Sequence, residues 1–328
     1  MHDRRPEVAE LSVAAAPVAS AATSLSLGEL TRPAPTLASA APSKWVDYLE
    51  LTKPRMNFLV VITTLVGFYM ARRGEPAGWL LMLHTIFGTA LTASAASVLN
   101  QWMERGYDAL MPRTRNRPLP AGRLTSREAL AFGLTLGVVG VSYLALAVNP
   151  LTAGLGLLTV LLYLLVYTPM KRVSSLNTVV GAIPGAIPPV MGFTAVENAI
   201  PPAAWMLFGV LFLWQMPHFL AIAVMYRDDY ARGGYRMLPV VDPTLSSTCR
   251  MAILYTLALI PVSLLAVAPL RVAGVWYMLA AIALGGYFLA TGVRLMQTRA
   301  RVDARRMFLA SVIYLPLLLA AMMIDKLG

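Results

Sequence analysis

From Ala129 to Met170 the chain reads ALAFGLTLGVVGVSYLALAVNPLTAGLGLLTVLLYLLVYTPM, 42 residues without a charged side chain. A membrane-spanning helix needs about 20 mainly apolar residues, so this run holds two. Asn149-Pro150, a turn dipeptide, divides them. Seven further uncharged stretches, 56–71, 76–103, 173–196, 198–226, 251–270, 272–293 and 307–324, suit one helix each. The first is short and needs Arg55 and Arg72 to extend their charges to the membrane surface. The reading is an all-α polytopic membrane protein with nine transmembrane helices.

Composition agrees. Of 328 residues, 58% are hydrophobic and 13% charged, against about 25% charged in soluble domains. A soluble helical core does not accommodate so many uncharged runs. The net charge of +11 does not indicate nucleic acid, because of where it lies. Of the 27 Lys and Arg residues, all but Arg72, Arg73, Arg271 and Lys326 fall on one side of the nine-span topology. The positive-inside rule then puts the N-terminus in the cytoplasm and the C-terminus outside. For a bacterium that membrane is the plasma (inner) membrane. A mitochondrial transit peptide is disfavoured by Asp3, Glu7, Glu10 and Glu29. Residues 1–43, rich in Ala, Ser and Pro, read as a disordered cytoplasmic tail, and 44–328 as the membrane domain. Residues 44–55, KWVDYLELTKPR, read as an amphipathic lead-in lying at the interface. Cys249, the single cysteine, excludes an internal disulfide and a Cys-rich metal site.

Ionisable groups at membrane depth are costly and mark function by default. The second span closes with NQWMERGYD (100–108), followed by MPRTRNRP (111–118). Asn100, Glu104 and Asp108, four residues apart, share one helix face and offer oxygen ligands for a hard cation. Arg113, Arg115 and Arg117 follow and suit phosphate. A second polar group closes the sixth span: WQMPHF (214–219), then Tyr226-Arg-Asp228-Asp229-Tyr230 and the arginines 232 and 236. A third, Tyr167-Thr-Pro-Met-Lys171-Arg172, ends the fourth. All three lie on the same side. Such parts suit a diphosphate held through Mg²⁺ and basic side chains, its apolar tail between the helices and its departure assisted by charge stabilisation. Loop charges such as Arg105, Arg123, Arg127, Arg299, Arg301, Arg305 and Arg306 need only serve topology and head groups. His2 lies in the tail and His84 reads as structural, whereas His218 is open to haem ligation, diphosphate binding or packing. Pro184, Pro188 and Pro189 are expected to kink or break the fifth span and to place it against a central substrate chamber.

These motifs resemble those of the UbiA-type intramembrane prenyltransferases, and within them the protohaem IX farnesyltransferases. The likeness is carried by the 100–118 segment, by Tyr167-xxx-Lys171-Arg172, and by GAIPPVMG (185–192) and WQMPH (214–218). Asp229-Tyr230 leading to MLPVV (237–241), and LTKPR (51–55), add to it. It spans roughly 44–325. It implies nine helices around a central chamber, farnesyl diphosphate as donor, protohaem IX as acceptor and haem O as product for terminal oxidases, with haem A synthase as a candidate partner. Carried onto this chain, Asn100, Glu104 and Asp108 would hold one Mg²⁺ and Asp229 a second. Lys53, Arg113, Arg117, Tyr167 and Lys171 would bind the diphosphate, and Asp108, Lys171 and Asp229 would be catalytic. Two departures stand out: Glu104 replaces the more usual Asp, and Ala221 and Met225 occupy positions where the second motif would carry upstream acids. The resemblance further implies ionisation to an allylic cation, attack by a haem vinyl group and quenching by water. The rivals are prenylation of an aromatic quinone precursor or chlorophyllide by the same fold, and a transporter or lipid-binding membrane protein.

Overall fold

The computed structural model describes residues 43–72 and 78–327. The expectation of a disordered tail over 1–43 falls, but for its last residue, outside them. Among the described residues there is no strand, and nine helices are long and apolar enough to cross a membrane.

A short helix, α1 (Lys44–Leu51), precedes them. Its Trp45 and Leu49, one turn apart, are exposed, while Asp47 and Leu51 point inward, so the expected lead-in is a two-sided helix over its first eight residues. The buried Asp47 carboxylate accepts from Arg123 Nε at 2.7 Å and so ties α1 to the connection after the second span. The first span is α2 (Pro54–Ala71), the second α3 (Trp79–Asp108) and the third α4 (Ser126–Ala147). α4 opens on a reciprocal cap between Thr125 and Glu128. The Asn149-Pro150 turn lies where the sequence placed it, with Asn149 Oδ1 accepting from Thr152 N at 2.8 Å to cap α5 (Pro150–Leu161).

The fourth span runs from α5 through a π-helical turn, Leu162–Tyr167, into α6 (Thr168–Val173). Pro169 has no N–H and its ring collides with the carbonyl four residues back, so the backbone widens locally. Thr168 Oγ1 donates to the Tyr163 carbonyl at 2.8 Å in the widened turn. The remaining elements are α7 (Asn177–Glu197), α8 (Pro202–Met225), the short α9 (Arg227–Arg232) and α10 (Leu238–Val241), then α11 (Ser246–Leu264), α12 (Val275–Thr298) and α13 (Arg301–Ile324).

α7 is not broken, a break being the stronger of the two outcomes expected of its prolines. It carries Pro184, Pro188 and Pro189 yet runs unbroken, and it is the most buried of the nine spans. It lies against α2, α5 and α8. A Cβ built on Gly67 of α2 would fall 2.0 Å from the Pro189 carbonyl oxygen, and one on Gly192 would fall 2.2 Å from the Thr64 carbonyl oxygen. The two backbones therefore touch, and packing holds the helix where proline alone would end it. The largest apolar core fills the space among α2, α7, α8, α11, α12 and α13.

Candidate active site

α3 is helical through Asp108, so Asn100, Glu104 and Asp108 form one unbroken ladder. All three are at least 95% buried. Asn100 Nδ2 donates to Glu104 Oε2 and to Thr168 Oγ1, each at 3.0 Å, which uses both its N–H groups and leaves Oδ1 as an acceptor. Lys171 Nζ lies 2.9 and 3.0 Å from the two Glu104 oxygens. Arg117 Nη1 donates to Asp108 Oδ2 at 2.7 Å. Tyr167 packs under Lys171, its ring centroid 4.6 Å from the ammonium.

Lys53 joins this cluster from the α1–α2 junction. Its backbone is left-handed, φ 50°, next to Pro54, a conformation disfavoured for a residue with a Cβ. Two side chains hold it there: Gln101 Nε2 donates to the Leu51 carbonyl at 2.7 Å, and Asn57 Nδ2 to the Thr52 carbonyl at 2.6 Å. Burial, reinforced by the nearby charges of Arg117 and Lys171, lowers the Lys53 ammonium to about 7. Arg117 and Lys171, with Lys53 held near the midpoint of its protonation, therefore cluster about two carboxylates, Glu104 and Asp108. The surplus positive charge suits a polyanion.

The sixth-to-seventh-span connection covers this mouth. Arg236 N donates to the Lys171 carbonyl at 2.7 Å, and Asn177 Nδ2 to the Arg236 carbonyl at 3.1 Å. Arg113 bridges the two polar connections, its guanidinium 4.9 Å from the Tyr226 ring and 5.8 Å from that of Tyr230. Asp229, on α9, pairs with Arg232. It makes no bond to the α3 ladder, and among the described residues no three acidic, His or Cys side chains converge as a metal cluster. Of the residues expected to form the site, Asn100, Glu104, Asp108, Lys53, Arg117, Tyr167 and Lys171 are thus brought together, while Arg113 and Asp229 lie in the overlying connection.

Sequence reasoning missed Tyr235. Its side chain is buried among Met111, Ala223 and Met237, with its ring 5.8 Å from Lys171 Nζ. Burial, with Glu104 beside it, holds the hydroxyl above the ordinary phenol range, so it stays protonated. Thr168 and Arg172 belong to the third polar segment read from the sequence, but their partners were not legible there: Thr168 Oγ1 accepts from Asn100, and the Arg172 guanidinium lies 4.4 Å from the Tyr107 ring.

His218 faces α13. It stacks on Trp214 at 4.9 Å and lies 5.1 Å from Phe308, with Nδ1 2.7 Å from Ser311 Oγ. The Ser311 hydroxyl donates to the Phe308 carbonyl at 2.5 Å, so Nδ1 must carry the proton it shares with Ser311. Nε2 is left with a free lone pair.

Amide and carboxylate oxygens stepped along one buried helix face, with paired cations beside them at the end of a helical bundle, are the parts a membrane-embedded enzyme for an anionic, apolar-tailed substrate would need. The family model described as UbiA prenyltransferase family matches residues 60–315, and the chain belongs to that family. Among curated relatives, the protoheme IX farnesyltransferase of Solibacter usitatus (strain Ellin6076) is 48% identical over 291 residues, 86% of this chain and 99% of that protein. That of Myxococcus xanthus (strain DK1622) is 42% identical over 290 residues, 88% and 97% of the two chains. Solved structures show the same fold. A chain from work on digeranylgeranylglyceryl phosphate synthase in membranes matches with a TM-score of 0.72 at 18% identity, over 86% of this chain and 98% of that one. A UbiA homolog from Archaeoglobus fulgidus bound to GPP and Mg²⁺ matches with a TM-score of 0.60 at 14% identity, over 84% and 99%.

Proposed function

We propose that this membrane protein transfers the farnesyl group of farnesyl diphosphate to a vinyl group of protohaem IX, giving haem O, with Mg²⁺ at the α3 ladder. The observation that carries the donor half is the pairing of Glu104 and Asp108 with Lys171 and Arg117 in one buried pocket. The acceptor is supported by the relatives named protoheme IX farnesyltransferase, 39–48% identical over nearly their full length. A transporter has no need of such a ladder beside basic phosphate ligands.

The donor set fits a hard cation: Asn100 Oδ1 and two carboxylates on one helix face, with the Lys171 ammonium seated on Glu104 where positive charge is wanted. Mg²⁺ held by Asn100, Glu104 and Asp108, with Asp229 contributing to a second ion, would supply charge stabilisation to the leaving diphosphate. Lys53, Arg117 and Lys171 bind the diphosphate oxygens, and Arg113 takes part from the overlying connection. Lys171 and Arg117, paired with the carboxylates in the structure, move toward phosphate oxygens when the anion enters. Ionisation leaves an allylic cation among the helices. A haem vinyl group attacks it, water adds to the resulting cation and loses a proton to give the hydroxyl, so no protein nucleophile is required. The basic connections and this mouth face the cytoplasm of a bacterial inner membrane.

The test is to supply the purified chain with Mg²⁺, farnesyl diphosphate and protohaem IX, and to chromatograph the extracted haem. A later-eluting hydroxyethylfarnesyl haem is expected. Unmodified haem, with a quinone precursor or chlorophyllide prenylated instead, would overturn the acceptor. His218 is assigned to the haem iron through its free Nε2. His218→Ala is then expected to shift the Soret band of the haem-loaded protein and to weaken haem uptake about tenfold; an unchanged spectrum would return His218 to packing.

A further inference from the structure

A buried polar atom without a partner is uncommon and costs about 1–3 kcal/mol. The Tyr235 hydroxyl is one. It is shielded from solvent and completes no hydrogen bond of ordinary geometry among the described residues, the Glu104 carboxylate beside it being no more than a weak partner and Lys171 a close neighbour. The side chain is not free to turn toward water. The backbone N–H of Tyr235 donates to the Tyr230 carbonyl at 2.9 Å, and the next residue is clamped through Arg236 N to the Lys171 carbonyl and through the Arg236 carbonyl to Asn177. The ring packs beside Tyr107 and Tyr230, with centroids 6.2 and 6.1 Å away. Backbone and packing together fix the hydroxyl at the edge of the cation pocket.

The neighbours indicate what it awaits. Glu104 is already engaged by Lys171 and Asn100, and the Lys171 ammonium offers only donors. The missing partner is an acceptor, and it must occupy the space between a phenol and an ammonium. A phosphate oxygen meets both demands. We propose that Tyr235 is a substrate-binding residue whose hydroxyl donates a hydrogen bond to a diphosphate oxygen of the prenyl donor, beside the Lys171 ammonium. The inference rests on the diphosphate reading given under Proposed function. When the allylic C–O bond breaks, its electron pair stays on the diphosphate oxygen. The Tyr235 hydrogen bond strengthens as that charge grows, and no proton crosses it.

Tyr235→Phe removes one oxygen and keeps the ring. The experiment uses the full chain in detergent with Mg²⁺, titrated with inorganic diphosphate by calorimetry, beside thermal melts without and with diphosphate. Wild type is expected to bind and Tyr235→Phe to bind about tenfold more weakly, with the turnover number for farnesyl transfer lowered and the KM for haem unchanged. Without ligand the variant is expected to melt at or above the wild-type temperature, since an unsatisfied hydroxyl is gone, and to lose most of the diphosphate-induced rise. Diphosphate affinity within twofold of wild type would overturn the inference. So would a ligand-free melt well below wild type, which would make the hydroxyl structural. If wild type itself takes up no diphosphate, the diphosphate reading fails, and this inference with it.

Discussion

Glu104→Gln and Asp108→Asn are each expected to lower farnesyl transfer by about a thousandfold or more, while the protein still accumulates in the membrane. Both substitutions keep the size and polarity of the side chain and remove one negative charge. Each carboxylate sits on the buried α3 face with a cation on it, Lys171 in one case and Arg117 in the other. Two effects are therefore superposed. Leaving a cation without its anion destabilises the fold, and losing an oxygen anion removes a metal ligand. A second substitution separates them. Glu104→Gln with Lys171→Met leaves no unpaired ammonium, so the double variant is expected to recover most of the melting temperature lost by Glu104→Gln while remaining inactive. The measurements are haem chromatography and a thermal melt in detergent. Wild-type turnover in either single variant would remove the ladder from the chemistry.

How far the sequence reaches can be seen at particular residues. The uncharged run 129–170 and its Asn149-Pro150 turn locate two spans because apolar length and turn chemistry are local properties, and the turn is where it was expected. The Asn100–Glu104–Asp108 ladder was legible for the same reason: helical periodicity places i, i+4 and i+8 on one face, and α3 extends far enough to carry all three. Local rules fail where packing decides. Three prolines in α7 signal a kink or a break, and the helix is not broken because the backbones of α2 and α7 touch at Gly67 and Gly192. Tyr235 gave no signal, because its meaning comes from Lys171, which is far away in the chain. The left-handed Lys53 is similar. Its role was suggested by the motif around it, but the two side-chain clamps that hold its backbone, Gln101 and Asn57, come from the tertiary fold.

The contact at Gly67 and Gly192 leads to the other large effect. Gly67→Ala and Gly192→Ala are each expected to cost more than about 4 kcal/mol, the upper range for a single substitution, and to leave little folded protein in the membrane. Overpacking usually costs 1–3 kcal/mol because a flexible side chain can move aside. Here the obstructing atoms are backbone. The new methyl on Gly67 would meet the oxygen, carbon and Cα of Pro189 at 2.0, 2.8 and 3.0 Å, and that on Gly192 would meet Thr64 O at 2.2 Å and Phe68 N at 2.4 Å. Relief requires α2 and α7 to separate along their length. Between apolar helices in a membrane, close packing is the main attraction, so separation forfeits what holds them. The site would be lost with the fold: α2 begins immediately after Lys53, and α7 begins at Asn177, which clamps the covering connection. Gly286→Ala is the matched control, since its Cβ meets nothing within 4 Å in the middle of α12. It is expected to leave accumulation and melting temperature unchanged or slightly raised, because alanine is the better helix former. Quantitative immunoblots of the membrane fraction and melts in detergent measure both quantities. Wild-type accumulation and melting of Gly67→Ala would mean that the α2–α7 backbone contact does not hold the bundle together.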